Sequence, residues 1–170
     1  MFLSITTLER QLARRMEPRA ATPERRLAVL SALRDIGARP GVMVAPLIPG
    51  LTDHELEGIL AAARDAGAET AGYVALRMPH EIKDLFREWL AEHYPDRAAR
   101  VIQLVRNIRG GKDYNAEFHT RLRGTGSYAA LMERRFQVAT RRLGFSTRRR
   151  DLDCTQFKKP QLPGDQLALF

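Results

Sequence analysis

A chain of 170 residues has room for one good core, but it is shorter than the roughly 250 residues that a closed (β/α) barrel typically occupies. Hydrophobic residues make up 44% of it, and no apolar run approaches the ~20 residues a bilayer-spanning helix needs, which excludes a helical membrane protein. The formal net charge of +8 is uneven, because residues 97–150 hold 14 Lys/Arg against 3 Asp/Glu, and localised positive charge points to a polyanionic partner.

The N-terminal stretch MFLSITTLERQ has no basic segment followed by a long apolar one, so no signal peptide is expected. Cys154 is the single cysteine. It leaves no internal disulfide to form and fits a reducing, cytoplasmic setting. Phe2 to Thr6 reads as a strand. Thr22 then caps a helix with Pro23 in its first turn. Leu27, Leu30, Leu33 and Ile36 line one side of that helix, and Gly37 ends it. The apolar run Val42–Ala45 predicts a buried parallel strand that runs into a turn bearing Pro49 and Gly50. Thr52 and Glu55 have the spacing of a capping box. The helix they open buries Leu56, Ile59, Leu60 and Ala63 and stops at Gly67. Gly72 to Leu76 reads as a third strand. Strands alternating with helices imply parallel pairing.

After Pro79 the pattern becomes helical. Ile82, Leu85, Phe86, Trp89 and Leu90 recur at helical spacing, and Tyr94-Pro95-Asp96 breaks that helix and starts another carrying Val101, Ile102, Val105 and Ile108. A glycine-bearing loop runs from Gly110 to Gly126. A last helix from about Ser127 to Leu143 places Tyr128, Leu131, Met132, Phe136 and Ala139 on one face. Pro160 to Phe170 reads as an extended tail. Three divisions follow: residues 1–78, an α/β unit; residues 79–150, a helical and basic extension; and residues 151–170, a tail.

Three near-continuous apolar parallel strands are few, since such strands need cover on both faces and at both edges. The first strand has nothing before it to lie beside. The expected fold is therefore α/β, a partial (β/α) barrel of three parallel strands with crossover helices, followed by the helical region.

The turn Ile48-Pro49-Gly50-Leu51-Thr52-Asp53 and the segment Glu17-Pro18-Arg19 carry a resemblance. Over roughly residues 2 to 90 the chain resembles the C-terminal half of radical S-adenosylmethionine (SAM) proteins, in the branch related to spore photoproduct lyase and called DNA-repair-photolyase-like. The resemblance implies SAM-contacting roles. Ser4 and Thr6 would lie near the ribose and methionine part. Arg19 would pair with the SAM carboxylate, where a guanidinium fork suits a carboxylate. Ile48 and Gly50 would contact the adenine, Gly50 by close backbone approach, with Tyr73 and Val74 completing that side. Singly, each has a plainer reading: a strand end for Ser4 and Thr6, a surface partner for Arg19, an ordinary α/β turn for Pro49-Gly50. The family's CxxxCxxC motif for the 4Fe-4S cluster is absent, and such a cluster needs several thiolates at fitted spacing. The resemblance thus implies SAM and a 4Fe-4S cluster in the complete enzyme, possible repair or modification of nucleic acid, a partner N-terminal half carrying CxxxCxxC, and no SAM cleavage by this chain alone.

Two further features suggest partners. The tail Gln166-Leu167-Ala168-Leu169-Phe170 resembles the QLxLF pentapeptide with which bacterial repair and replication proteins bind the sliding clamp. Gln166 would enter a polar pocket and Leu167, Leu169 and Phe170 an apolar one; the alternative is a terminal cluster that folds back on the core. Arg134, Arg135, Arg141 and Arg142 on the last helix, with Arg148, Arg149 and Arg150 after it, form a stripe that suits DNA phosphates; the alternative is a solvated helix face. Together they make a DNA- and clamp-binding module without catalysis the second reading of function. Gly110-Gly111-Lys112 could cradle a phosphate or simply stop a helix. The resemblance would make Cys154 a hydrogen-atom donor, as thiols are in related enzymes; the plainer reading is a free thiol. The four histidines lack metal-ligand spacing, and no Ser-His-Asp set, Walker loop or dinucleotide fingerprint is present.

Overall fold

The computed structural model describes residues 1–146, 155, 157, 158 and 160. Strands β1 (Phe2–Ile5), β2 (Gly41–Leu47) and β3 (Thr70–Ala75) form one parallel sheet in the order β1-β2-β3. Helices α1 (Arg10–Met16) and α2 (Pro23–Asp35) join β1 to β2, and α3 (Leu56–Asp65) joins β2 to β3. Helices α4 (Ile82–His93), α5 (Pro95–Asn107) and α6 (Gly126–Arg142) follow. The α/β class and parallel sheet agree with the expectation.

The local signals mostly act as expected. Thr22 accepts a hydrogen bond from Arg25 N and Pro23 opens α2, while Gly37 follows the helix at φ 78°, the left-handed turn that a glycine takes at no steric cost. Leu56, Ile59, Leu60 and Ala63 are buried on α3. Three expectations are corrected. Helix α1 was not anticipated, since it buries only Leu12 and so shows little apolar periodicity. Ile36 is 79% exposed, because α2 ends at Asp35 before the stripe reaches it. The capping box does not form: Thr52 Oγ1 accepts from Ile48 N at 2.9 Å. Glu55 instead accepts from Thr7 Oγ1 at 2.5 Å and from Leu8 N at 2.8 Å.

The two faces of the sheet differ. Register places Leu3, Val42 and Ala71 in one row and Ile5, Val44 and Tyr73 in the next. These rows pack against Leu30 of α2, Ile59 and Leu60 of α3, and Met132, Phe136 and Ala139 of α6. Side chains alternate along a strand, so the opposite face carries Phe2, Ser4, Met43, Ala45, Gly72 and Val74. Phe2 is 54% exposed, Ser4 is exposed and the others are half-buried. None of the six belongs to either hydrophobic cluster.

The edges differ too. No strand pairs with the outer edge of β1 among the described residues. The outer edge of β3 is bonded at both ends: Ser146 N donates to Glu69 O at 2.8 Å, and Ala75 N donates to Leu122 O at 2.8 Å.

A second cluster gathers at the C-terminal ends of the strands. Leu12, Ile48, Leu51, Leu76 and Met78 pack there against Leu90 of α4 and Val101 and Val105 of α5. The first cluster runs from Ile5 to Phe145 and the second from Leu12 to Val105. Both clusters therefore draw residues from either side of residue 78.

Candidate functional site

The C-terminal ends of parallel strands are where ligands meet open α/β sheets, and here a polar network occupies them. Thr6, just past β1, is buried, and its Oγ1 donates to Ala45 O at 3.0 Å. In the turn after β2, Gly50 N donates to Asp53 Oδ1 at 2.9 Å. The Tyr128 hydroxyl donates to the other Asp53 oxygen. Arg135 donates to both oxygens of Glu57, at 2.8 and 2.6 Å, and to Asp53 O at 2.9 Å. Helix α6 is thereby fastened to the turn. Burial, and then the bond to Asp53, push the Tyr128 phenol up to about 12, so it acts as a hydrogen-bond donor and not as a base near neutral pH.

At the end of β3 a second set is built on Arg109, whose residue is 2% exposed. Its Nη1 donates to the carbonyls of Thr120 and Arg121, and its Nη2 to those of Ala75 and Leu76. Arg77 and Arg109 make no ion pair among the described residues, and Arg77 Nη2 donates to the Tyr114 hydroxyl at 2.9 Å. Burial, and then nearby Arg77, lower the Arg109 pKa. Arg123 stacks on Tyr73 at 3.9 Å from the ring centre and pairs with Glu133 at 3.3 Å.

The SAM-contact residues implied by the resemblance do not share one surface. Ser4 and Val74 lie on the sheet face that contributes to neither cluster. Ile48 is fully buried in the second cluster. A Cβ on Gly50 would come within 2.9 Å of Leu104 Cδ1, so α5 covers that turn. Tyr73 faces the helices, where its hydroxyl donates to Glu133 at 2.7 Å; burial, and then that bond, push it up to about 12. Strand alternation puts Tyr73 and Val74, expected to complete the adenine side together, on opposite faces of the sheet. Arg19 is exposed after α1 with no ion pair among the described residues, whereas Glu17 of the same segment pairs with Arg26 at 3.0 Å.

Of the arginines expected to meet phosphate, Arg134, Arg141 and Arg142 are exposed and make no ion pair among the described residues. Arg135 differs from them, because its guanidinium pairs with both oxygens of Glu57. Arg148, Arg149, Arg150, Cys154 and the tail residues Gln166, Leu167, Leu169 and Phe170 lie outside the described residues. The Gly110-Gly111-Lys112 segment stops α5: Gly111 N donates to Arg106 O and Lys112 N to Arg109 O. Sequence reasoning missed Asp53, Tyr128, Glu57 and Arg109. Only Asp53 had a local signal, its place three residues after Gly50 in a turn.

The Arg135 hydrogen bonds hold the Glu57 carboxyl below its ordinary value of 4.5, against an opposing effect of burial. A carboxylate depressed in the folded state contributes stability that is present above the unfolded pKa and lost as pH falls through the folded one. Stability should therefore fall on acidification below about pH 4.5 with a contribution that Glu57→Gln removes, measured by urea unfolding across pH 3 to 6. Both side chains are near one-third exposed, so the contribution is small.

No family model matches the chain, and no solved structure matches it. It is 33% identical over 106 residues to a protein of Mycobacterium tuberculosis, a match covering 61% of this chain and 31% of that protein. A Mycobacterium bovis protein matches with the same figures. ORF301 of Acidianus two-tailed virus is 39% identical over 72 residues, covering 39% of this chain and 24% of the viral protein. All three are named as uncharacterised proteins. The match spans under a third of the length of each of these relatives.

Proposed function

We propose that this chain supplies the C-terminal part of a radical SAM enzyme acting on nucleic acid, and that it works only beside a complementary segment carrying CxxxCxxC. The observation that carries the reading is the one-sided sheet. Among the described residues, helices cover one face, the six residues from Phe2 to Val74 on the other face stay outside both cores, and no strand pairs with the outer edge of β1. One wall of a (β/α) barrel has this form, with helices outside and an inner face that packs only when the ring is complete.

The chain does not fit the cluster by itself. Among the described residues no three His, Cys, Asp or Glu side chains are grouped to hold a metal ion, and Cys154 is a single thiol. The SAM-contact set is likewise dispersed, with Ser4 and Val74 on the face outside both clusters, Ile48 and Gly50 in the covered turn, Tyr73 on the helix-packed face and Arg19 exposed after α1. No chemical step is assigned to this chain alone. Its own residues position loops: Thr6 ties the end of β1 to β2, and Asp53 with Tyr128 holds the turn after β2.

The test is anaerobic iron–sulfur reconstitution of this protein together with a chain bearing CxxxCxxC, followed by an assay for 5′-deoxyadenosine. Product is expected from the mixture and not from this chain, with slower amide exchange at Phe2–Ile5 on mixing. A mixture that forms none and leaves exchange in β1 unchanged defeats the reading.

A further inference from the structure

Helix α6 buries Ala129, Met132, Phe136, Ala139 and Thr140 but leaves two large apolar side chains outside. Leu131 is 50% exposed and Val138 57% exposed. They are seven residues apart and so lie on one side of the helix. Residues 131, 135, 138 and 142 form a row of roughly 16 Å along the helix axis. This row borders a groove of about 370 Å³ against α3, lined by Glu57, Leu131, Arg134, Arg135, Val138, Ala139 and Arg142.

The groove has a definite charge pattern. Glu57 is its one carboxylate, and Arg135 holds it with two hydrogen bonds. That pairing leaves Arg134 and Arg142 exposed without ion pairs among the described residues, on either side of Val138. A phosphate backbone would use these arginines but would leave Leu131 and Val138 in water, because backbone contacts are made to phosphate and sugar. A segment with apolar side chains at helical spacing and carboxylates beside them uses Leu131, Val138, Arg134 and Arg142 together.

We propose that the groove between α3 and α6 is a docking site for an acidic amphipathic segment of a protein partner. Its apolar side chains rest on Leu131 and Val138, and its carboxylates pair with Arg134 and Arg142. The groove is lined by α3 and α6 residues, while the proposed barrel completion concerns β1 and the sheet face outside both clusters, so the two can fail separately.

The test selects binders from a random 12-residue peptide display library on the intact protein. The enriched peptides are then measured by fluorescence anisotropy against the wild type, the double variant Leu131→Ser/Val138→Ser and the double variant Arg134→Glu/Arg142→Glu. All four positions are exposed or rim residues, and unchanged circular dichroism checks that the variants fold. The expected result is enrichment of peptides with Asp/Glu beside apolar residues at three- and four-residue spacing, and affinity lowered about tenfold or more by each double variant. A 20-base-pair duplex and anionic phosphatidylglycerol vesicles are measured in parallel. The proposal is overturned by enriched peptides without acidic residues, by no enrichment, or by peptide affinity unchanged in the serine variant. It is equally overturned if duplex or vesicles bind more tightly than the peptides and depend on Arg134 and Arg142.

Discussion

Arg109→Leu is expected to destabilise the protein by about 3 kcal/mol, one of the largest effects of any single substitution outside the apolar cores. The leucine keeps the bulk of the side chain but leaves the carbonyls of Ala75, Leu76, Thr120 and Arg121 without the donors they now have. A buried acceptor left unsatisfied costs about 1–3 kcal/mol. Part of that loss is offset, because the substitution also removes a cation that burial and Arg77 both disfavour. Arg109→Lys should lose nearly as much, since one ammonium cannot reproduce the planar fork. Urea unfolding gives the value. A change within about 0.5 kcal/mol of wild type, the range of ordinary surface substitutions, would show that water satisfies these carbonyls equally well.

Gly124→Ala comes next, with an expected loss of about 2–4 kcal/mol from left-handed backbone strain plus overpacking. Gly124 has φ 86°, and an added Cβ would lie 2.8 Å from the carbonyl oxygen of Ile108 and 2.9 Å from its Cβ. The obstructing oxygen is backbone, and it already accepts from Thr125 N at 2.9 Å, so it cannot move aside cheaply. Gly37→Ala is the matched control. It has φ 78° with nothing within 4 Å of the added atom, and it should cost only about 1 kcal/mol. Thermal unfolding of the two variants side by side separates steric clash from backbone preference. Equal losses would mean that the 108–125 loop shifts to make room. Arg109 and Gly124 fasten the same loop, so their effects should not add.

The sheet and most helix limits were legible because their causes are local. An apolar run, Thr22 before Pro23, and glycines after α2 and α3 act within a few residues. The α1 helix was not legible by pattern, although Gln11, Leu12, Ala13, Arg14 and Arg15 are all good helix formers; with one buried residue it has no periodicity to read. The misread capping box shows the limit more sharply. Thr52 and Glu55 have the right spacing, but Glu55 is taken by Thr7 and Leu8, 48 and 47 residues earlier in the chain. Arg135 likewise looked like one of a row of free cations until Glu57, 78 residues away, claimed it. A partner that arrives only through folding leaves no mark in the local spacing.

The unequal edges of the sheet set a valency. A protein with two free strand edges can add copies without end, as fibres do. Here the Ala75 N bond to Leu122 O and the Ser146 N bond to Glu69 O obstruct the β3 side, so among the described residues only the β1 side is left to accept a newcomer. Two copies meeting there would use up each other's single socket and stop, and self-association at high concentration should therefore halt at pairs.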